Sequence, residues 1–290
     1  MRGFSDPATD HLLVVFLGAL GFGLTAMLLP LVARLLACAG FVRLNYMGRS
    51  IPQGAGIIFF IVPLFLGVFM FLVFVSPAGL LYPATFLFVA GAMGFLGLVD
   101  DVFGSREASG LRGHFRALMQ GRPTTGALKA LGGVAVALAA GVATAPLGEV
   151  WLNALLIALA ANAVNLLDLR PGRAGKGFLL GAAPLFFAGW ENPGLLLPLA
   201  VVTGALLAYL PGDLRARFMM GDAGANVLGA TLGLTAVWVL GFEARLGVLA
   251  GLVLFHLFTE RYSLSEVVRR NRWLYFLDRL GRSREESGEK

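Results

Sequence analysis

One cysteine, three histidines and few charges set the first limits on this chain. Cys38, standing alone, excludes an internal disulfide framework and a cysteine-rich metal centre. Only 14% of the residues are charged, against 58% hydrophobic and 39 glycines, so no water-soluble domain accounts for the composition. An internal repeat and an inverted second half are also missing, which weighs against the common transporter plans. A net charge of +6 would point to nucleic acid in a soluble protein. Here the basic residues fall between apolar runs, where membrane topology explains them, and no nucleic-acid partner is expected. What remains is an all-α polytopic membrane protein.

Nine apolar runs approach the length of a bilayer crossing, near 12–37, 55–75, 83–99, 127–145, 149–166, 177–190, 194–210, 223–241 and 245–258. The first is too long for a signal-peptide core and reads as a retained span. With the N-terminus outside, segments 34–54, 100–129, 167–176, 211–222 and 259–290 face the cytoplasm and hold 21 of the 23 Lys and Arg residues. Only Arg2 and Arg245 fall elsewhere, so the bias predicts an outer N-terminus and a cytoplasmic C-terminus in a cell membrane. Residues 1–260 read as one transmembrane domain and 261–290 as a cytoplasmic tail. Within that tail Tyr262–Leu280 alternates Leu264, Val267, Phe276 and Leu277 with Arg269, Arg270, Arg272 and Arg279, an amphipathic pattern suited to an anionic leaflet.

The polar groups that interrupt the apolar runs lie at the predicted inner ends. Asn162, Asn165 and Asp168 step three residues at a time and share one broad helix face. A charged group inside a membrane costs about 2.5–3.5 kcal/mol and polar amides are also disfavoured there, so they point to function, or to hydrogen bonds that glue neighbouring helices. Pro171 and Gly172 then break the helix and deliver Arg170, Arg173 and Lys176 to water, a cationic loop suited to anions. Asp100 and Asp101 follow another apolar run. Adjacent carboxylates repel unless a cation intervenes, and Mg²⁺ takes one or two carboxylates plus phosphate oxygens. A proton relay and a helix cap stay open as alternatives. The loop beyond carries Arg106, Arg112, His114, Arg116 and Arg122, and Lys129 opens the next run. Met47–Gly56 forms a cationic turn in which Gly54 and Gly56 permit close backbone approach. Asp222 stands where an N-cap would, or as a further acidic ligand at a helix N-terminus that attracts phosphate.

Taken together these segments resemble the polyprenyl-phosphate N-acetylhexosamine-1-phosphate transferases, glycosyltransferase family 4, whose members include the phospho-N-acetylmuramoyl-pentapeptide transferases. The resemblance covers about residues 45–260. Ile51-Pro52-Gln53-Gly54-Ala55-Gly56 is similar to the family's glycine-rich inner loop, and Asp100-Asp101-Val102-Phe103-Gly104 to its paired-aspartate motif. Lys129 matches a lysine that opens the next helix. Asn162, Asn165 and Asp168 match Asn-x-x-Asn-x-x-Asp, and Met220-Gly221-Asp222-Ala223-Gly224 matches Met-Gly-Asp-x-Gly.

The resemblance implies a Mg²⁺-dependent, bacterial enzyme of cell-wall precursor synthesis. It would transfer sugar-1-phosphate from a UDP-amino sugar to polyprenyl phosphate at the cytoplasmic face, and a homodimer is compatible with it. Carried onto this sequence, Asp100, Asp101 and Asp168 are the catalytic carboxylates, and Asp222 with Asp168 holds the metal. Lys129, Asn162, Asn165, Gly54 and Gly56 would bind substrates, and this chain's own cationic loop, with Arg170, Arg173 and Lys176, would clamp the donor pyrophosphate. Two departures stand out. Asp168-Leu169-Arg170-Pro171-Gly172 replaces Asp-Gly-x-Asp-Gly, so Pro171 takes the place of the aspartate beside uracil, and the family's histidine-rich loop has no counterpart. A changed donor is therefore expected. A non-catalytic binder of polyprenyl phosphate or nucleotide is the alternative, and a transporter of lipid-linked substrate a more remote one.

Overall fold

A computed structural model describes residues 7–73, 81–104, 124–144 and 146–282. Among them run nine helices of sixteen residues or more: α1 (Pro7–Cys38), α2 (Ile58–Val73), α3 (Leu81–Phe103), α4 (Thr125–Thr144), α5 (Val150–Leu167), α6 (Arg173–Ala188), α7 (Leu197–Asp213), α8 (Gly221–Val239) and α9 (Phe242–Arg261). Six of these segments are long and apolar enough to cross a membrane, which makes the chain an all-α, multi-pass membrane protein. The shorter apolar runs behave differently. At sixteen residues, α2 and α6 extend only about 24 Å, below the roughly 30 Å of a hydrocarbon core. The loop with Arg106, Arg112, His114, Arg116 and Arg122 lies outside the described residues.

Helix α8 is the axis of the bundle and packs against α2, α3, α5, α6 and α7. Its glycines and alanines allow this, since they bring backbone against backbone. A Cβ on Gly56 would stand 2.5 Å from the Gly224 Cα, so these two glycines form a close packing contact between the first inner turn and α8. That contact corrects the expectation that Gly56 meets substrate. The opposite extreme is α9, which rests on α5 and leaves most of its surface bare. At the end of the bundle away from Asp100, Arg245 pins it, donating to Asn153 Oδ1 (2.6 Å) and Glu149 Oε2 (2.5 Å).

Two local features were not legible in the sequence. Residues 42–52 form an antiparallel hairpin, β1 (Val42–Leu44) and β2 (Ser50–Pro52), with Arg43 opposite Ile51. Asn45 Oδ1 closes its turn by accepting from Met47 N (2.9 Å) and Arg49 N (3.0 Å). The amphipathic tail is also divided, into α10 (Leu264–Arg270) and α11 (Arg272–Arg279). Asn271 causes the break, because its side chain caps α11 at Trp273 N and Leu274 N, both 3.1 Å.

Candidate active site

Helices α3, α5, α7 and α9 end, and α4 and α8 begin, around one cavity of about 1070 Å³. Asp100, Asp101, Lys129, Asn162, Asn165, Asp168, Arg170 and Asp222 all line it. At its centre the Lys129 ammonium joins Asp100 Oδ2 (3.1 Å) to Asp222 Oδ2, and Asn165 Nδ2 donates to the same Asp222 oxygen (3.3 Å). Each of these three charged side chains keeps between 21% and 26% of its surface open. Thus the repulsion expected for adjacent aspartates is relieved in part by a lysine from the next helix.

Asp101 has a different task from Asp100. It is 4% exposed, and its oxygens accept from Asp222 N (3.1 Å), Ala223 N (3.0 Å) and Gln53 Nε2 (2.9 Å). A carboxylate from α3 therefore caps the positive end of α8, where an N-cap residue of α8 itself would otherwise sit. Asp222 lies inside the first turn, not at the cap. Asp168 Oδ2 fills the adjoining place by accepting from Gly221 N (3.1 Å). This corrects the expectation of a phosphate-binding α8 N-terminus, since two carboxylates already hold its first amides. Gly221 has φ 73°, and a Cβ there would lie 2.5 Å from Asp101 Oδ2, so glycine is required on both counts.

The cationic loop is also divided. Arg170 lines the cavity with its guanidinium 4.5 Å over the Tyr46 ring. Arg173 and Lys176, expected to clamp phosphate, turn away from it. Arg173 makes a two-pronged pair with Asp278 (2.8 and 3.0 Å), and Lys176 donates to the carbonyls of Leu277 (2.9 Å) and Asp278 (2.8 Å). The reason is local: Gly172 adopts φ 75°, and α6 starts at once, rotating these side chains toward α11. Gly54 lies beside the Phe41 ring as a turn residue with φ 78° and does not line the cavity.

Several lining residues carried no signal that sequence reasoning used. Arg43, Asn45 and Tyr46 come from the hairpin, His256 and Glu260 from α9, and Asp213 from the end of α7. Asp213 is 4% exposed and accepts from Gly172 N (2.8 Å), which shapes the turn that carries Arg170. Its position after Pro211-Gly212, at the close of an apolar run, was the available clue. Burial and the charges of Asp213, Asp222 and Asp101 push Asp168, just past the last turn of α5, well above the usual carboxylate range.

The lining carries six carboxylates against the three cations Arg43, Lys129 and Arg170. An excess of acidic groups over basic ones favours a further cation in such a cavity. Among the described residues no three acidic, histidine or cysteine side chains are placed to hold a metal by themselves. Asp100 and Asp222 nonetheless present hard oxygens to one space and touch each other, the limited protein donor set that Mg²⁺ accepts when phosphates complete its shell.

A multi-pass helical protein with an acidic and amide-rich site at one end of the bundle is the class these features define. Residues 83–240, more than half of the chain, match the model of glycosyl transferase family 4, and the chain belongs to that family as a divergent member. It is 28% identical over 198 residues to the phospho-N-acetylmuramoyl-pentapeptide-transferase of Thermotoga neapolitana, a match covering 64% of this chain. The aligned part spans about 60% of the length of that curated relative.

Proposed function

We propose that the protein transfers a sugar-1-phosphate from a nucleotide-diphospho-sugar to a membrane polyprenyl phosphate at the cytoplasmic face. The meeting of Asp100, Lys129 and Asp222 in one cavity carries this reading. The same cavity continues along α4 and α5 past Ala130, Gly133, Val134, Ala158 and Leu159, a small-residue, apolar path for a lipid chain. Matched family and the name of the bacterial relative support the reaction class.

In this reaction a lipid phosphate oxygen attacks the β-phosphorus of the donor. The bond to the bridging oxygen breaks, and nucleoside monophosphate leaves. Phosphoryl transfer asks a protein mainly for alignment and charge neutralisation. Lys129, fixed between two carboxylates, presents its positive charge toward the reacting phosphates. Asp100 orients the lipid phosphate and takes its proton. Arg170 and Arg43 hold the donor phosphates at the cavity mouth, and Asn162 and Asn165 donate to oxygen acceptors deeper in. Asp222 and Asp100 would hold Mg²⁺, with Asp168 lining the same cavity, and the ion when bound would neutralise phosphate charge. Asp101 acts through Asp222, by fixing the start of α8.

The orientation belongs to the same proposal: nine crossings, in which α2 and α6 fall short of the full hydrocarbon depth, an outer N-terminus and the cavity inside. A cysteine at Arg215, on a Cys38→Ser background, should resist impermeant maleimide in intact cells and react after permeabilisation. Labelling of intact cells would overturn the orientation. For the activity, the purified protein with undecaprenyl phosphate, Mg²⁺ and UDP-, GDP- or CDP-linked N-acetylhexosamines should release nucleoside monophosphate and form lipid-linked product. Binding of lipid and donor without product would replace the transferase by a binder of the same fold.

A further inference from the structure

Helix α11 has almost no protein cover. Trp273 is 79% and Phe276 59% exposed, and Leu274, Tyr275, Leu277 and Leu280 are exposed beside them. So dense an apolar surface is not left in water by a folded protein. Its position and charge name the occupant. The spanning helix α9 ends at Arg261, three residues before α10, so the segment starts at the membrane surface. Arg269, Arg270 and Arg272 precede the apolar face, and the nearby Glu266 is already paired to the first two. Tryptophan and tyrosine among arginines fit the headgroup level of an anionic leaflet.

Helix α11 is also tied to the cavity turn. Asp278, 9% exposed in its side chain, holds Arg173, whose Nη1 also reaches Ser265 Oγ of α10 (3.1 Å). Lys176 covers the last carbonyls of α11, the end of a helix that favours a cation. Arg282 donates to the Pro171 carbonyl (2.9 Å) and to Asp278 Oδ1 (3.0 Å). Pro171 and Arg173 bracket the turn that follows Asp168 and Arg170. These bonds join residues about a hundred positions apart, except that of Arg282 to Asp278, four residues before it.

We infer that α10 and α11 form a strap seated in an anionic leaflet, and that this strap holds the Asp168–Arg173 turn in its cavity-lining shape. The seat and the turn are thus coupled: a strap lifted from lipid loosens the turn. The coupling does not depend on which group the cavity transfers.

The test uses the full chain on a Cys38→Ser background in nanodiscs of phosphatidylcholine, with or without phosphatidylglycerol. An environment-sensitive dye at Trp273→Cys should be shielded from iodide several-fold better than one at Arg270→Cys, and most strongly with phosphatidylglycerol. In a second set, Leu169→Cys reports the turn by its alkylation rate. Phe276→Ser with Leu280→Ser should raise that rate several-fold. Asp278→Asn should raise it equally while the dye at 273 stays shielded, and Asp278→Glu should restore the slow rate. Equal quenching at 273 and 270 in anionic discs would overturn the seat. An alkylation rate at 169 indifferent to both changes would overturn the coupling. Neither readout involves turnover, so failure of the transferase reading would not be mistaken for failure of the strap.

Discussion

Replacing Asp101 by asparagine should cost more in stability than in cation binding, whereas replacing Asp222 should do the reverse. Asp101 accepts two backbone N–H groups at the start of α8 and one from Gln53. Hydrogen bonds to a charged group are each worth about 1.5–3 kcal/mol, and the helix dipole adds up to about 2. Asparagine keeps one acceptor but turns an amide N–H against a backbone donor, so a net loss near 3 kcal/mol is a fair working figure. For a chain of 290 residues that corresponds to a fall in Tm of about 5 °C. Asp222→Asn leaves Lys129 paired to Asp100 and the α8 cap intact, so its Tm should move little. It removes the carboxylate that shares the cavity cation, so Mn²⁺ binding in the presence of a polyprenyl phosphate should weaken most there. Thermal unfolding in detergent and calorimetry with Mn²⁺ read the two effects separately. An Asp101→Asn protein as stable as wild type but unable to bind Mn²⁺ would refute the division of labour between these carboxylates.

Four further outcomes follow from the same geometry. Arg170→Ala should lower donor affinity about tenfold, the equivalent of one charged hydrogen bond, and leave lipid affinity nearly unchanged. Competition among UDP-, GDP- and CDP-sugars should show weak preference for uracil, because Pro171 offers the base no side-chain acceptor; tight binding confined to UDP-sugars would reject this. Arg245→Ala strands Asn153 and Glu149 and should destabilise by about 3–5 kcal/mol, while the pair Arg245→Met with Glu149→Gln should recover much of it in a double-mutant cycle. The last outcome concerns pH. Burial alone would lift the Asp278 carboxyl, but hydrogen bonds from Arg173 and the charges of Arg282, Arg173 and Lys176 outweigh it and hold it below the ordinary carboxylate range. A lowered folded pKa contributes stability above the unfolded value, and that stability is lost as pH falls through the folded one. Between about pH 5 and 3 the wild type should therefore lose stability more steeply than Asp278→Asn, and parallel slopes would exclude the pair as a contributor.

The sequence by itself determined the helical, membrane-spanning class and part of the set of residues that line the cavity. Both are encoded locally, the first as apolar runs and the second as polar groups placed at their ends. Asp100, Lys129, Asn162, Asn165, Asp168, Arg170 and Asp222 were all readable, because alternating spans return every second connection to the same end of a bundle. What each of them does was decided by tertiary structure. Asp100 and Asp101 are neighbours in sequence, yet helix geometry turns them about 100° apart. One meets Lys129, and the other is buried against the first amides of α8. Arg170 and Arg173 look equivalent in the sequence, but only the first faces the cavity, since the second finds its partner 105 residues away. The β1–β2 hairpin, the Asp213 brace and the Gly56–Gly224 contact were hidden for the same reason. A pairing across the chain depends on which surfaces the packed helices bring together, and no short stretch of sequence carries that information.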